Sequence, residues 1–295
     1  MEKLLLWPNR PECATPDGGP SITCFLHDAP ASDGAPRPAL LVIPGGGYHH
    51  VFAENEGMPT ARHFLTLGFN CFVLDYRVWP GGVFPNCVVD AARAVKLIRA
   101  NAARFGIDPL RVAALGYSAG GHLAACLGTS IVDEVEAVAG DEADQQPQRV
   151  NGMVLCYPVT SFAETIGHPE SGKGFLGQER LGELANRYNP ANRIDDRTPP
   201  TFLWHTLTDE MVPAKGSLAM ANALAEKGTE FSFHLFPYGD HGMLLAYRTD
   251  AAAWPQLAAE FLLAAWRKRS VSPENFHRYY NYADQIALEK EFGLA

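Results

Sequence analysis

Short apolar runs alternate with amphipathic stretches through most of the chain. Strands are predicted at residues 39–43, 70–77, 112–115, 150–158 and 199–206, and a period-two run predicts another at 231–236. Helical spacing of apolar residues predicts helices over 58–67, 85–105, 122–127, 212–227 and 251–267. Looser alternation at 3–7 and 21–26 predicts antiparallel edge strands. Because strands and helices alternate, the pattern predicts a mostly parallel, doubly wound α/β sheet with helices on both faces.

One strand-to-helix junction carries the pattern Gly-Tyr-Ser-Ala-Gly at 116–120. Gly-x-Ser-x-Gly between a buried strand and a helix is the nucleophile elbow of the α/β-hydrolase fold. Such a tight turn strains the serine backbone and lifts the Ser118 hydroxyl above the sheet, and it leaves no room for side chains at Gly116 and Gly120. It also places the Ala119 N–H at a helix start, facing a developing oxyanion. The alternative, a glycine-rich turn whose serine caps a helix, fits the flanking strand and downstream partners less well.

A second glycine-rich segment, Pro-Gly-Gly-Gly-Tyr at 44–48, follows the strand predicted at 39–43. Backbone N–H groups of a loop in this position supply the other half of an oxyanion hole, and we expect those of Gly46 and Gly47 to do so. A flexible glycine turn is the alternative. Neighbouring side chains are expected to contact substrate: Tyr48, His49 and Tyr117.

A serine nucleophile needs a base and an acid that orients the base. In the α/β-hydrolase fold these follow in the order Ser, Asp or Glu, then His, which Ser118, Asp209 and His241 satisfy. Asp209 and His241 each follow a predicted strand, at the sheet edge where open α/β sheets bind ligands. Glu210, the next residue after Asp209, is the alternative candidate for the acid that orients the base. No histidine pair has zinc spacing with an accompanying Glu, so neither a metal site nor a cofactor is expected.

The amino-acid composition indicates which kinds of binding partner and which cellular compartment to expect. The net charge is 24 − 33 = −9 and the only basic run is 267–269, which argues against nucleic acid and anionic membranes. No apolar run has the length of a membrane span, and the apolar stretch near residue 5 is shorter than a signal peptide requires, so neither is expected. The six scattered cysteines lack a Cys-x-x-Cys pair, so reduced thiols and a cytoplasmic enzyme are expected.

Two segments depart from the alternating pattern. Residues 160–197 are rich in Gly, Glu, Asn and Arg, and we interpret them as a lid insertion that shapes the substrate pocket. The predicted organisation is therefore one domain over residues 1–270, containing this lid, and a C-terminal extension over 271–295. Aromatic residues in the extension fit packing against the body or a partner subunit, which leaves a homo-oligomer open.

Several motifs in combination resemble one enzyme family. Besides segments 44–48 and 116–124, the matching stretches are Thr-Pro-Pro-Thr-Phe-Leu-Trp-His-Thr (198–206), Asp209 with Val-Pro (212–213), and Gly-Asp-His-Gly (239–242). Over residues 20–268 the chain resembles the α/β-hydrolase carbohydrate esterases, a group of acetyl xylan esterase-like and feruloyl-esterase-like serine esterases. The resemblance implies hydrolysis of a small acyl ester, typically acetyl, on a carbohydrate or oligosaccharide. An amidase, formamidase or peptidase on the same scaffold, and a catalytically silent binding protein, remain alternatives.

Overall fold

The computed structural model describes residues 2–13, 18–29 and 31–269. The strands are β1 (Glu2–Leu5), β2 (Ser21–Phe25), β3 (Arg37–Ile43), β4 (Asn70–Asp75), β5 (Ile107–Tyr117), β6 (Gly152–Cys156), β7 (Thr201–Thr206) and β8 (Phe231–Phe236). The helices are α1 (Met58–Thr66), α2 (Asn86–Ala100), α3 (Ala102–Phe105), α4 (Ser118–Gly128), α5 (Pro169–Leu176), α6 (Gln178–Leu184), α7 (Lys215–Lys227) and α8 (Trp254–Arg269). A π-helical turn, Ala53–Gly57, leads into α1. The predicted extension over 271–295 lies outside the described residues.

The strands form one sheet in the order β1-β2-β4-β3-β5-β6-β7-β8. β1 pairs with β2 and β2 with β4 in antiparallel fashion. Every other neighbouring pair is parallel. The prediction of a mostly parallel α/β sheet whose first two strands are antiparallel strands at one edge is therefore confirmed.

Helices cover both faces of this sheet, which explains why its central strands are apolar without alternation. Helices α2, α4 and α7 contribute to a hydrophobic cluster on one face, and α1 and α8 contribute to a cluster on the other. The six cysteines are buried free thiols within these clusters or beside them. None of the helices described combines the length and the hydropathy needed to span a bilayer.

Loops that follow the carboxyl ends of four parallel strands converge on one edge of the sheet. The glycine loop, defined here as residues 44–47, follows β3, and Ser118 follows the adjacent strand β5. Asp209 and His241 follow β7 and β8, which also pair in parallel. This edge is where an open α/β sheet forms its binding crevice.

The segment predicted to be a lid contains α5, α6 and a short 3₁₀ turn, Pro190–Arg193. Helix α5 lies against the glycine loop so closely that a Cβ on Gly174 would sit 2.6 Å from the Gly47 carbonyl oxygen. The insertion therefore borders the candidate site, and its role as a lid stays a prediction.

Candidate active site

Ser118 occupies a strained turn at the junction of β5 and α4. Its φ of 52° lies in the left-handed region, which is unusual for a residue with a side chain. A Cβ on Gly116 would lie 2.1 Å from the Gly120 carbonyl oxygen, and a Cβ on Gly120 would lie 2.2 Å from that of Ile43. The backbone therefore has the geometry expected of a nucleophile elbow, and both glycines are sterically required.

Three side chains from distant parts of the sequence form a hydrogen-bonded chain at this turn. The Ser118 hydroxyl lies 2.8 Å from Nε2 of His241 and donates to it. Nδ1 of His241 donates to Oδ2 of Asp209 over 2.6 Å. This order of contacts can carry a proton from the hydroxyl to an imidazole whose tautomer the carboxylate fixes.

Asp209 is buried, yet its environment favours the charged form. One oxygen, Oδ1, accepts the N–H groups of Met211 at 3.0 Å and Val212 at 2.9 Å. Burial raises the pKa of the Asp209 carboxyl, but hydrogen bonds from His205 and His241, with the charge of His241, hold that pKa well below its usual value. The acid is therefore an ionised carboxylate, whereas its rival Glu210 is exposed.

His205 is a second imidazole at the same Asp209 oxygen that His241 contacts, and no motif of the sequence pointed to it. Its Nε2 lies 3.2 Å from Oδ2 of Asp209 and 2.9 Å from the Val212 carbonyl oxygen. Because a carbonyl only accepts, Nε2 carries a proton, and Nδ1 accepts the Ser217 hydroxyl at 2.8 Å. The sequence signal for this contact is a histidine near the end of β7, four residues before the acid in the loop that follows the strand.

The glycine loop presents free N–H groups beside the nucleophile. Gly46 and Gly47 have φ values of 128° and 65°, which glycine adopts without strain. The Gly46 carbonyl accepts the N–H groups of His49 and His50, both at 3.0 Å. Among the described residues, nothing accepts from the N–H groups of Gly46 and Gly47. Ala119 is the second residue of α4, where an N–H has no acceptor within the helix.

The expected substrate contacts of Tyr48 and Tyr117 are corrected by their burial. Both side chains are 0% exposed. The Tyr48 hydroxyl bonds Nδ1 of His122 at 2.6 Å, and the Tyr117 hydroxyl bonds Oγ1 of Thr60 at 2.7 Å. A side chain whose surface is covered by the core and whose polar atom is already paired offers nothing to a substrate. Both tyrosines therefore belong to the core.

His49 remains at the rim of the site. Its side chain is 32% exposed, and Nε2 lies 3.9 Å from Oε1 of Glu170. His168, whose Nδ1 bonds the Ser171 hydroxyl at 2.8 Å, lies nearby. Burial and the charge of His241 lower the pKa of His168. The rim is therefore polar, with imidazole and carboxylate groups that can bond hydroxyls.

The described residues were also inspected for a group of side chains that could bind a metal ion. Within residues 2–13, 18–29 and 31–269, no group of three or more His, Cys, Asp or Glu side chains is placed to hold a metal ion.

Comparison with known proteins gives consistent matches. The family model BD-FAE matches residues 28–224. Endo-1,4-beta-xylanase B of Butyrivibrio fibrisolvens is 34% identical over 80% of this chain and 36% of its own length. The acetylxylan esterase of Xylanibacter ruminicola is 30% identical over 77% of this chain and 44% of its own length. The chain thus spans less than half the length of these two curated relatives.

A solved structure is similar over nearly its whole length. The acetyl ester-xyloside bifunctional hydrolase from Caldicellulosiruptor lactoaceticus superposes with a TM-score of 0.80 and 34% sequence identity. The match covers 89% of this chain and 96% of that one.

Proposed function

The chain belongs to the BD-FAE family, and from this premise we propose that it is a serine esterase acting on small acyl esters of carbohydrates, with acetyl as the acyl group. The observation that carries the proposal is the unbroken series of contacts from Ser118 through His241 to the ionised Asp209. The names of an acetylxylan esterase and an acetyl ester-xyloside hydrolase among similar proteins support the substrate class.

In the proposed mechanism, the first half-reaction forms an acyl-enzyme. Ser118 Oγ attacks the ester carbonyl carbon while His241 Nε2 takes its proton. Asp209 stabilises the imidazolium that results. As the tetrahedral intermediate collapses, His241 returns the proton to the leaving alkoxide.

The glycine loop and helix α4 stabilise the negative oxygen of that intermediate. N–H groups of Gly46, Gly47 and Ala119 are the donors, and one such donor contributes about 3 kcal/mol to transition-state stabilisation. Water then attacks the acyl-enzyme carbonyl while His241 Nε2 takes its proton, and as the bond to Ser118 Oγ breaks His241 returns that proton to the serine and the acid is released. These steps need no cofactor.

Replacing the nucleophile tests the proposal. Acetate release from acetylated xylo-oligosaccharides and hydrolysis of p-nitrophenyl acetate are measured for the wild type, Ser118→Ala and the control Ser232→Ala. Ser232 lies at the start of β8 and its hydroxyl contacts His234, away from the glycine loop and Ser118. We expect only Ser118→Ala to lose hydrolysis and labelling by a fluorophosphonate. Full activity in Ser118→Ala would overturn the assignment.

A substrate panel separates esters from the other substrates of this scaffold. Acyl chains of increasing length, amide analogues and deacylated sugars are compared by kcat/KM, with acetyl esters expected to be the best substrates. Preference for the amides would replace the esterase by an amidase. The cytoplasmic location and the homo-oligomer left open by the sequence stay predictions.

A further inference from the structure

One peptide unit at the base of the glycine loop is held from both sides by buried side chains. The carbonyl of Pro44 accepts the Tyr76 hydroxyl at 3.0 Å. The N–H on the other side of the same peptide, that of Gly45, donates to Oε2 of Glu56 at 2.5 Å. With both of its polar groups bonded, this peptide plane cannot rotate without breaking a buried hydrogen bond.

Glu56 is an unusual residue to find buried. It lies on the π-helical turn Ala53–Gly57 and is 7% exposed. Among the described residues its carboxylate has no cationic partner within ion-pair distance, and its one hydrogen bond is to Gly45. Burial raises the pKa of Glu56, while the Gly45 N–H and the charge of His241 oppose that rise. A buried carboxyl without a cationic partner lowers the stability of the fold. Its presence therefore indicates that Glu56 has a role other than stabilising the fold.

The carboxylate and the Ser118 side chain lie on either side of Gly45. A Cβ on Gly45 would be 3.2 Å from Oε2 of Glu56 and 3.2 Å from Cβ of Ser118. Gly45 is thus a spacer between the carboxylate and the nucleophile. A Cβ at this position would also lie 2.9 Å from the Tyr117 carbonyl oxygen, so glycine is the residue that fits here.

The anchored peptide immediately precedes the proposed oxyanion donors. Successive peptide planes are joined only by φ and ψ, so the plane between Pro44 and Gly45 helps to set the direction of the Gly46 and Gly47 N–H groups. Glycines with positive φ have several accessible conformations, so the loop needs an external anchor to keep one of them. Displacing a catalytic group by about 1 Å can cost about 100-fold in rate.

We propose that Glu56 is a positioning residue for the oxyanion hole. By accepting the Gly45 N–H, it holds the glycine loop in the conformation that directs the Gly46 and Gly47 N–H groups at the tetrahedral intermediate. This inference rests on the proposed esterase function. It assigns Glu56 the work of a hydrogen-bond acceptor, which an uncharged amide oxygen can also perform.

Three variants test the proposal against a purely structural role. Glu56→Gln keeps an acceptor oxygen and Glu56→Ala removes it. Thr60→Val is the matched control, because Thr60 lies four residues after Glu56 and its buried hydrogen bond is to the Tyr117 hydroxyl and not to the glycine loop. Kinetics with p-nitrophenyl acetate, thermal unfolding, and affinity for a boronic acid that forms a tetrahedral adduct are measured for each.

We expect Glu56→Ala to lower kcat by about 10- to 100-fold with KM nearly unchanged, because the oxyanion contacts form only in the transition state. Boronic acid affinity falls in parallel with kcat/KM. Glu56→Gln keeps kcat within about threefold, as a retained acceptor predicts. Thr60→Val loses thermal stability and keeps kcat. Unchanged kcat in Glu56→Ala, or equal losses in the Gln and Ala variants, would overturn the proposal.

Amide hydrogen exchange gives a readout that needs no turnover. Peptides covering residues 44–50 are expected to exchange faster in Glu56→Ala than in the wild type or Glu56→Gln, while strand β5 keeps its protection. Unaltered exchange in the loop would refute the anchoring role even if the wild type hydrolysed no ester. A wild type inactive on every ester would instead refute the proposed function.

Discussion

Asp209→Asn is the sharpest test of how the acid works, because it preserves shape and changes one atom. The two backbone N–H groups of Met211 and Val212 donate to Oδ1. An asparagine keeps those bonds only if its carbonyl oxygen takes that place, so its NH₂ must face the imidazoles. The opposite orientation would set two backbone donors against a third donor and leave them unpaired in the core.

The expected orientation disables the base. Both His241 and His205 lie within hydrogen-bond distance of Oδ2. An NH₂ group there cannot accept from Nδ1 of His241, so that imidazole moves its proton to Nε2, the atom facing Ser118. A protonated Nε2 cannot take the serine proton. The same exchange in a serine protease triad lowers kcat by about 10⁴-fold, which corresponds to about 5.5 kcal/mol of activation free energy.

The assay compares kcat on p-nitrophenyl acetate for Asp209→Asn and Glu210→Gln. Glu210 is the adjacent exposed acid, so its variant removes the same charge without touching an imidazole. We expect Glu210→Gln to stay within about twofold of wild type, as exposed substitutions usually do. If Asp209→Asn kept more than about a tenth of wild-type kcat, the tautomer argument would be refuted.

Further predictions concern the core and the elbow. Tyr48→Phe removes the 2.6 Å hydrogen bond to Nδ1 of His122 and leaves that atom only the weaker Cys126 thiol at 3.7 Å, so the free energy of unfolding in urea should fall by about 1–3 kcal/mol with KM unchanged; a higher KM would show that Tyr48 contacts substrate. Burial lowers the pKa of His122 from 6.5 to about 4. The unfolded chain therefore binds the proton first, and stability should fall from about pH 6.5 to 4 by up to about 3 kcal/mol. His122→Gln should flatten that dependence, and an unchanged slope would contradict it. Gly120→Ala should prevent folding or activity because its Cβ meets backbone at 2.2 Å, whereas Gly182→Ala, with open space around it, should be tolerated in thermal unfolding.

The sheet was predictable because its signals are local. A parallel strand covered on both faces is an apolar run, and such runs mark β3, β5, β6 and β7 to within a few residues except where β5 begins earlier, at Ile107. The convergence of Ser118, Asp209 and His241 was predictable for a related reason. Each one follows a strand, and the carboxyl ends of parallel strands share an edge.

The two tyrosines were predicted wrongly because proximity along the chain does not give side-chain direction. Tyr48 and Tyr117 adjoin the glycine loop and the nucleophile, but their rings pack in opposite layers of the core. The direction of the Tyr48 ring depends on a backbone torsion, its φ of 64°. Tyr117 is the last residue of β5, where successive side chains point to opposite faces of the sheet, so its position in the alternation decides the direction of its ring. Neither quantity can be obtained from the letters of the motif.

The supporting roles of Glu56 and His205 could not be predicted from the sequence, for a reason that applies to other proteins as well. A nucleophile elbow and an oxyanion loop constrain their own backbone, so they require glycines and leave a recognisable pattern. A residue that supports them needs only one donor or acceptor within reach, which several residue types at several positions can supply. His205 holds the acid and Glu56 the glycine loop through single hydrogen bonds formed between separate elements. Such supporting contacts can be identified only once the fold has brought the separate elements together.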